Sequence, residues 1–217
     1  MKAAAAKLAL LSGLLALGCA AAVRGQAATP AAGVSPEDAA AKLAYCEVCH
    51  GVEAQGFHGY YPIPRLAGQQ IDYLKNQLQA FVEHRRTNNI MFNVGHVLSP
   101  AMIAALTDDF HKLNPKPLGG APQDLVSEGK KVFAEGAPDA KVPACATCHG
   151  ADAKGNGPFP RLAGQLYDYV VAKLTNWDKE RGQVRGQPDT SAIMQPIAHS
   201  LTQPEIKAVA AYVSTLE

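Results

Sequence analysis

Two short runs of the chain hold residues able to act together chemically: Cys46-Glu47-Val48-Cys49-His50 and Cys145-Ala146-Thr147-Cys148-His149. Cysteines three positions apart lie about one helical turn from each other, so both sulfurs reach the two vinyl groups of one haem and form thioethers. The next residue then sits beneath the iron as an axial ligand. The pattern is that of c-type haem attachment, and it occurs twice. It assigns one covalent haem c to Cys46 and Cys49 and a second to Cys145 and Cys148, with His50 and His149 on the irons. Structural zinc wants four ligands per site, and each run offers three adjacent ones. A thioredoxin-like dithiol wants a strand-to-helix context, whereas this chain reads as helical throughout.

The elements that position these runs also come in two copies. Ser35-Pro36-Glu37-Asp38 opens a helix, with a Ser cap, Pro at the first helical position and acids in the first turn, and that helix delivers Cys46 from residues 36–45. After His50 the chain turns through Gly, Tyr and Pro to Pro64-Arg65-Leu66-Ala67-Gly68-Gln69. A second helix follows, with Ile71, Leu74, Leu78, Phe81 and Val82 spaced by threes and fours. A polar stretch holding Met91 leads to a last helix opened by Ser99-Pro100 and ending near Leu113. Two prolines and two glycines within 114–121 break any helix and mark a linker. The programme then repeats: a helix over about 123–135, the second motif, Pro160-Arg161-Leu162-Ala163-Gly164-Gln165, a helix, Met194, and a final helix opened by the capping box Thr202-Gln203-Pro204-Glu205.

Each half predicts the other. The cysteine motifs lie 99 positions apart, the Pro-Arg-Leu-Ala-Gly-Gln runs 96 and the two methionines 103, so insertions fall in loops while the elements stay in register. Tyr73 then matches Tyr169, Leu78 matches Leu174, Phe81 matches Trp177 and Arg85 matches Arg181.

That register addresses the sixth iron ligand. Met194 is the sole methionine of the second half. Met91 aligns with it, whereas Met102 aligns with Glu205 and reads as a packing residue. Met91 and Met194 are therefore the expected distal ligands. Histidine is the rival, since His96 and His199 each follow a methionine by five positions; bis-His ligation would lower both potentials. His58, His84 and His111 have no counterpart in the other half and read as surface residues.

The domain plan is a signal peptide at 1–27, a flexible terminus at 28–34, a first domain at 35–114, a linker at 115–121 and a second domain at 122–217. Lys2 and Lys7 precede an apolar run at 8–23 and small residues, with cleavage expected after Ala27 or Ala22. The run is short for a retained membrane anchor. Lipid attachment at Cys19 is the alternative. Net charge is +1, with 20 basic and 19 acidic residues, which favours neither nucleic acid nor a membrane surface. Any membrane contact is then peripheral or through a partner complex.

With these residues in view, the chain over about 36–217 resembles the tandem class I cytochromes c, and within them the dihaem cytochrome c4 family. The resemblance rests on the two Cys-x-x-Cys-His-Gly motifs, the paired Pro-Arg-Leu-Ala-Gly-Gln segments with a downstream Tyr, the Met preceding Leu-Ser or Leu-Thr, and the closing Ala-Ala-Tyr-Val. It implies an all-α fold of two small helical domains, each wrapped on one haem c. It implies that the Pro64 and Pro160 carbonyls accept hydrogen bonds from His50 and His149, fixing the imidazoles, and that Arg65 and Arg161 pair with haem propionates, solvated surface being the plainer reading. It also implies a crossing of first and last helices through a Gly and two aromatics. The second half has these as Gly129, Phe133 and Tyr212; the first has Ala39, Leu43 and Asp109, with Phe110 substituting by a one-residue shift.

The resulting expectation is a periplasmic electron carrier working between a redox donor and a terminal oxidase or reductase. A dihaem peroxidase or a sulfur-oxidising enzyme would need an open sixth site and nearby acid or base groups. A fixed electron-transfer subunit of a membrane complex is the other alternative.

Overall fold

The computed structural model describes residues 33–181 and 191–217. The expected leader at 1–27, Cys19 and most of the expected flexible terminus lie outside the described residues. Among those described, regular structure is helical, and extended pairing is confined to isolated bridges. No single described helix is long and apolar enough to cross a membrane.

In the first repeat, α1 (Pro36–His50) starts where expected: the Ser35 side chain accepts from the Asp38 N–H at 3.0 Å. It does not stop at Tyr45 but carries Cys46, Cys49 and His50 on its last turns. Nothing in the motif breaks a helix, and the first residue that does is Gly51, at φ +90° with its N–H bonded to Glu47 O at 2.9 Å. α2 (Ile71–Val82) buries Leu74, Gln77, Ala80 and Phe81 at the expected spacing. The stretch read as polar loop holds a short helix, α3 (Asn89–Gly95), started by Asn88, whose side chain accepts from the Met91 N–H at 3.0 Å. α4 (Pro100–Lys112) is capped by Ser99 and places Leu106, Thr107 and Phe110 inward.

In the second repeat, a 3₁₀ turn precedes α5 (Val126–Glu135), which ends at Gly136 with φ +77°. The motif therefore forms its own single turn, α6 (Ala146–His149). Next come α7 (Tyr167–Thr175), α8 (Trp177–Glu180), α9 (Ser191–Ser200), which holds Pro196, and α10 (Gln203–Thr215), which carries the complete Thr202/Glu205 capping box.

Both repeats belong to one compact unit, Gly33–Glu217, yet each keeps its own apolar core. The second is the larger, built on Val132, Phe133, Val142, Val170, Ile206, Val209 and Val213. The first has Ala54, Ala67, Leu74, Leu106 and Phe110 at its centre. The difference follows from the helix crossing. At Gly129 a Cβ would lie 1.9 Å from Ala208 O, so α5 and α10 touch backbone to backbone, with the Phe133 and Tyr212 rings 5.5 Å apart beside the contact. In the first repeat Ala39 occupies the glycine's place, and the buried aromatic is Phe110 rather than position 109, as the one-residue shift required.

Two candidate haem-binding sites

Each motif ends on a buried histidine whose orientation is fixed. His50 Nδ1 donates to Pro64 O at 2.8 Å, and His149 Nδ1 donates to Pro160 O at 2.9 Å. A carbonyl can only accept, so the proton sits on Nδ1 and the Nε2 lone pair is left for a metal. Burial lowers the pKa of both imidazoles from the ordinary histidine value, against the opposing pull of the proline carbonyls, which favours the neutral form that a ligand must have. Burial likewise raises the Cys46 thiol and pushes Cys145 up to about 11. Neither of these two thiols is lowered in the way that a reactive dithiol's is. Among the described residues no three His, Cys, Asp or Glu side chains converge as a metal site.

Met91 sits half-buried on α3 and Met194 half-buried on α9, each in a short helix between the middle and last long helices of its repeat. Met102 instead packs against the first core. Both rival histidines are exposed: His96 donates from Nδ1 to Phe92 O at 3.1 Å and stacks on the Phe92 ring, and His199 meets Asp178 through Nε2 at 2.5 Å.

Arg65 and Arg161 are not solvated. They are 3% and 7% exposed, and their Nε atoms donate to Ala67 O and Ala163 O at 3.0 and 2.9 Å. Burial, with Arg161 nearby, brings Arg65 down to about 10. Arg65 Nη1 and Arg161 Nη2 are buried with no hydrogen-bond partner. Buried cationic nitrogens of this kind call for an anionic acceptor, and the propionate carboxylates of a haem supply one. The residues present therefore fit the group that the motifs require.

The Pro-Arg-Leu-Ala-Gly-Gln segments also do something that reading the halves separately does not reveal. Gln69 Oε1 accepts from the Arg161 N–H at 2.7 Å while its Nε2 donates to Arg161 O at 2.9 Å. Gln165 does the same to Arg65, at 2.9 and 3.0 Å. Each glutamine thus serves the other repeat. The only signal in the sequence is that both copies carry the same hexapeptide.

A second reciprocal set lies farther along. Arg86 Nη2 donates to Tyr169 OH at 2.7 Å, Arg181 Nη2 reaches Tyr73 OH at 3.4 Å, and the two arginines pair through their backbones. Their guanidinium groups lie over the Phe81 and Trp177 rings. The counterpart of Arg181 is therefore Arg86, not Arg85. His84, in the left-handed region at φ +57°, redirects the chain after α2 and adds a residue, and Arg85 turns to Glu83 and Asn76 instead. Burial raises the Tyr169 phenol, but the cations Arg86, Lys173 and Arg181 outweigh it and hold the group below its ordinary value.

Two of the histidines read as surface residues have structural contacts. His58 Nδ1 meets Asp168 Oδ2 of α7 at 3.0 Å, and the half-buried ring lies against the linker at Gly120. His111 is exposed yet donates to the backbone carbonyl of Gln69 at 2.9 Å. His84 is exposed as expected and stacks on Phe92.

The cytochrome c family profile matches residues 37–115 and again 126–217. A cytochrome c4 of Thiocapsa roseopersicina is 34% identical over 196 residues, covering 88% of this chain and 97% of its own. A thiosulfate dehydrogenase electron acceptor of Thiomonas intermedia (strain K12) is 34% identical over 178 residues, covering 80% of this chain and 79% of its own. Among solved structures, the cytochrome c4 of Acidithiobacillus ferrooxidans is 38% identical, with a TM-score of 0.67, covering 79% of this chain and 98% of that one.

Proposed function

The chain belongs to the cytochrome c family, as a dihaem cytochrome of the c4 kind carrying two covalent haem c groups, and from that premise we propose that it is a periplasmic shuttle with one His and one Met ligand on each iron. It is an electron carrier, not an enzyme. Haem iron supplies the one-electron couple. The protein's own task is to hold each imidazole still, keep water and foreign ligands from the metal, and place the two sites in one body.

The single observation carrying the ligand reading is the matched pair of buried histidines, each with Nδ1 locked to a proline carbonyl and Nε2 left free. Met91 and Met194 complete the sets by register; Met102 packs partly buried against the first core, His96 is exposed, and His199 Nε2 is on Asp178. Arg65 and Arg161 neutralise the propionates through their unpartnered nitrogens. The leader pattern at 1–27 supports export.

For the donor we propose a thiosulfate dehydrogenase, on the strength of the acceptor from Thiomonas intermedia. The outward face of α1 and the loop after it expose Tyr45, Val48, Val52, Tyr60 and Tyr61 beside the first motif. Exposed apolar side chains of this kind, with Lys42 over the Tyr45 ring and Glu53 at the edge, suit transient docking of a redox partner.

A pyridine haemochrome count with the visible spectrum tests the reading. Two low-spin haems per chain, with the weak long-wavelength band of Met-ligated ferric haem lost stepwise in Met91→Ala and Met194→Ala, are expected. One haem, or a high-spin iron that takes up carbon monoxide in the unaltered protein, would return the enzyme alternative. Reduction of the protein by a thiosulfate dehydrogenase and thiosulfate, followed optically, tests the donor.

A further inference from the structure

The peptide group joining Pro64 to Arg65 is engaged at both ends. Its oxygen accepts from His50 Nδ1 at 2.8 Å, and its N–H donates at 2.9 Å to Gln165 Oε1 of the other repeat. The Pro160–Arg161 peptide repeats the arrangement, with His149 Nδ1 at 2.9 Å and Gln69 Oε1 at 2.7 Å. A peptide that donates through its N–H gathers electron density on its oxygen, so bonds in such a chain strengthen one another, by about 10–30% each.

We propose that Gln165 sets the donor strength of His50 and Gln69 that of His149, each acting on the haem of the opposite repeat as a positioning residue. The inference rests on His50 and His149 being iron ligands. A more negative carbonyl pulls harder on Nδ1–H, gives the ring more imidazolate character and so favours ferric iron. The carboxamides are held to this task. Each uses its NH₂ group on the carbonyl of the same arginine, at 3.0 Å for Gln165 and 2.9 Å for Gln69. A flipped amide would set donor against donor and acceptor against acceptor, so its orientation is fixed. Both glutamines are buried, and the backbone of Gln69 is itself held by His111. The geometry occurs in both directions across the boundary, so the effect is crossed: the ligand lies in one half and its tuner in the other.

The test is a site-resolved redox titration of the holoprotein, together with proton NMR of the two Nδ1–H groups in the ferrous state. In Gln165→Leu the His50 proton moves upfield, and the first haem shifts toward the ferrous form by roughly twofold to tenfold in its redox equilibrium. The His149 signal stays put. Gln69→Leu gives the mirror result. Gln165→Glu, with its carboxyl protonated, retains an acceptor opposite the Arg65 N–H and a donor opposite Arg65 O, and leaves the His50 proton near its original position. A purely structural role would not separate Leu from Glu in this way, and the Glu variant keeps the test open if the Leu variant fails to fold. A change confined to the glutamine's own repeat, an equal change at both haems, or no change in either signal overturns the proposal. If the unaltered protein shows low-spin haems without two imidazole Nδ1–H signals, the ligand assignment fails first.

Discussion

Gln69 closes a two-hydrogen-bond ring with the backbone of Arg161, at 2.7 and 2.9 Å, across the boundary between the repeats. Gln69 and Arg161 are both buried, so water does not compete for these groups. The contact uses the main chain of one half and the side chain of the other, which ties the interface directly to the loops that hold the proximal histidines.

Gly129 is where the second repeat tolerates least. A methyl group there meets Ala208 O at 1.9 Å, and both partners are helix backbone that cannot rotate away. Gly129→Ala is expected to cost roughly 2–3 kcal/mol, at the upper end of overpacking effects. Ala39→Gly in the first repeat should cost only about 1 kcal/mol, from helix propensity. Denaturant unfolding of the two variants gives the comparison; equal losses would contradict the asymmetry of the crossings.

Met91 and Met102 separate by spectrum and by stability. Met91→Leu should abolish the Met-ligand band of one haem. Met102→Leu keeps volume in the core and is expected to cost less than about 1.5 kcal/mol while leaving both haem spectra intact. A changed spectrum in Met102→Leu alone would transfer the ligand role to it.

Arg86, buried, and Tyr169, half-buried, make a cation–phenol pair. Because the folded-state phenol titrates below its ordinary value of 10.0, the folded protein gives up this proton before the unfolded chain does. That contribution to stability is present above the unfolded value and is lost as pH falls through the folded one. Arg86→Met should raise the Tyr169 pKa in an ultraviolet titration and remove this part of the pH dependence. It should also destabilise by about 1 kcal/mol, the cost of a half-buried hydroxyl losing its hydrogen bond.

His58 and Asp168 join the first-repeat loop to α7 while partly exposed, at 35% and 40% of their side chains. Solvent screening keeps such pairs weak. A double-mutant cycle with His58→Ala and Asp168→Asn should yield a coupling of about 0.2–1 kcal/mol that shrinks in salt. A coupling above this range, insensitive to salt, would mark the pair as a buried latch.

Much of this was legible because the chain states its plan twice. Helix starts were readable from Ser35, Ser99 and Thr202, where a capping hydroxyl precedes Pro and the structure shows the expected bonds. The histidine-to-proline contacts followed from family resemblance and appear at 2.8 and 2.9 Å. Helix α3 is not legible in the sequence because seven residues carry little periodicity and its start depends on one side chain, Asn88. Counting along the chain pairs Arg85 with Arg181, and the left-handed turn at His84 breaks that count. The roles of His58, Gln69 and Gln165 were beyond reach for a different reason: their partners lie about a hundred positions away, and only tertiary packing brings them together.

The reciprocity of Gln69 and Gln165 has the form of an isologous dimer interface, in which residue i of one subunit meets residue j of the other and the reverse. Joining the subunits by the segment 115–121 replaces a concentration-dependent encounter with an effective concentration on the order of millimolar. An interface far too weak to assemble two free subunits in a dilute compartment is then fully formed in one chain.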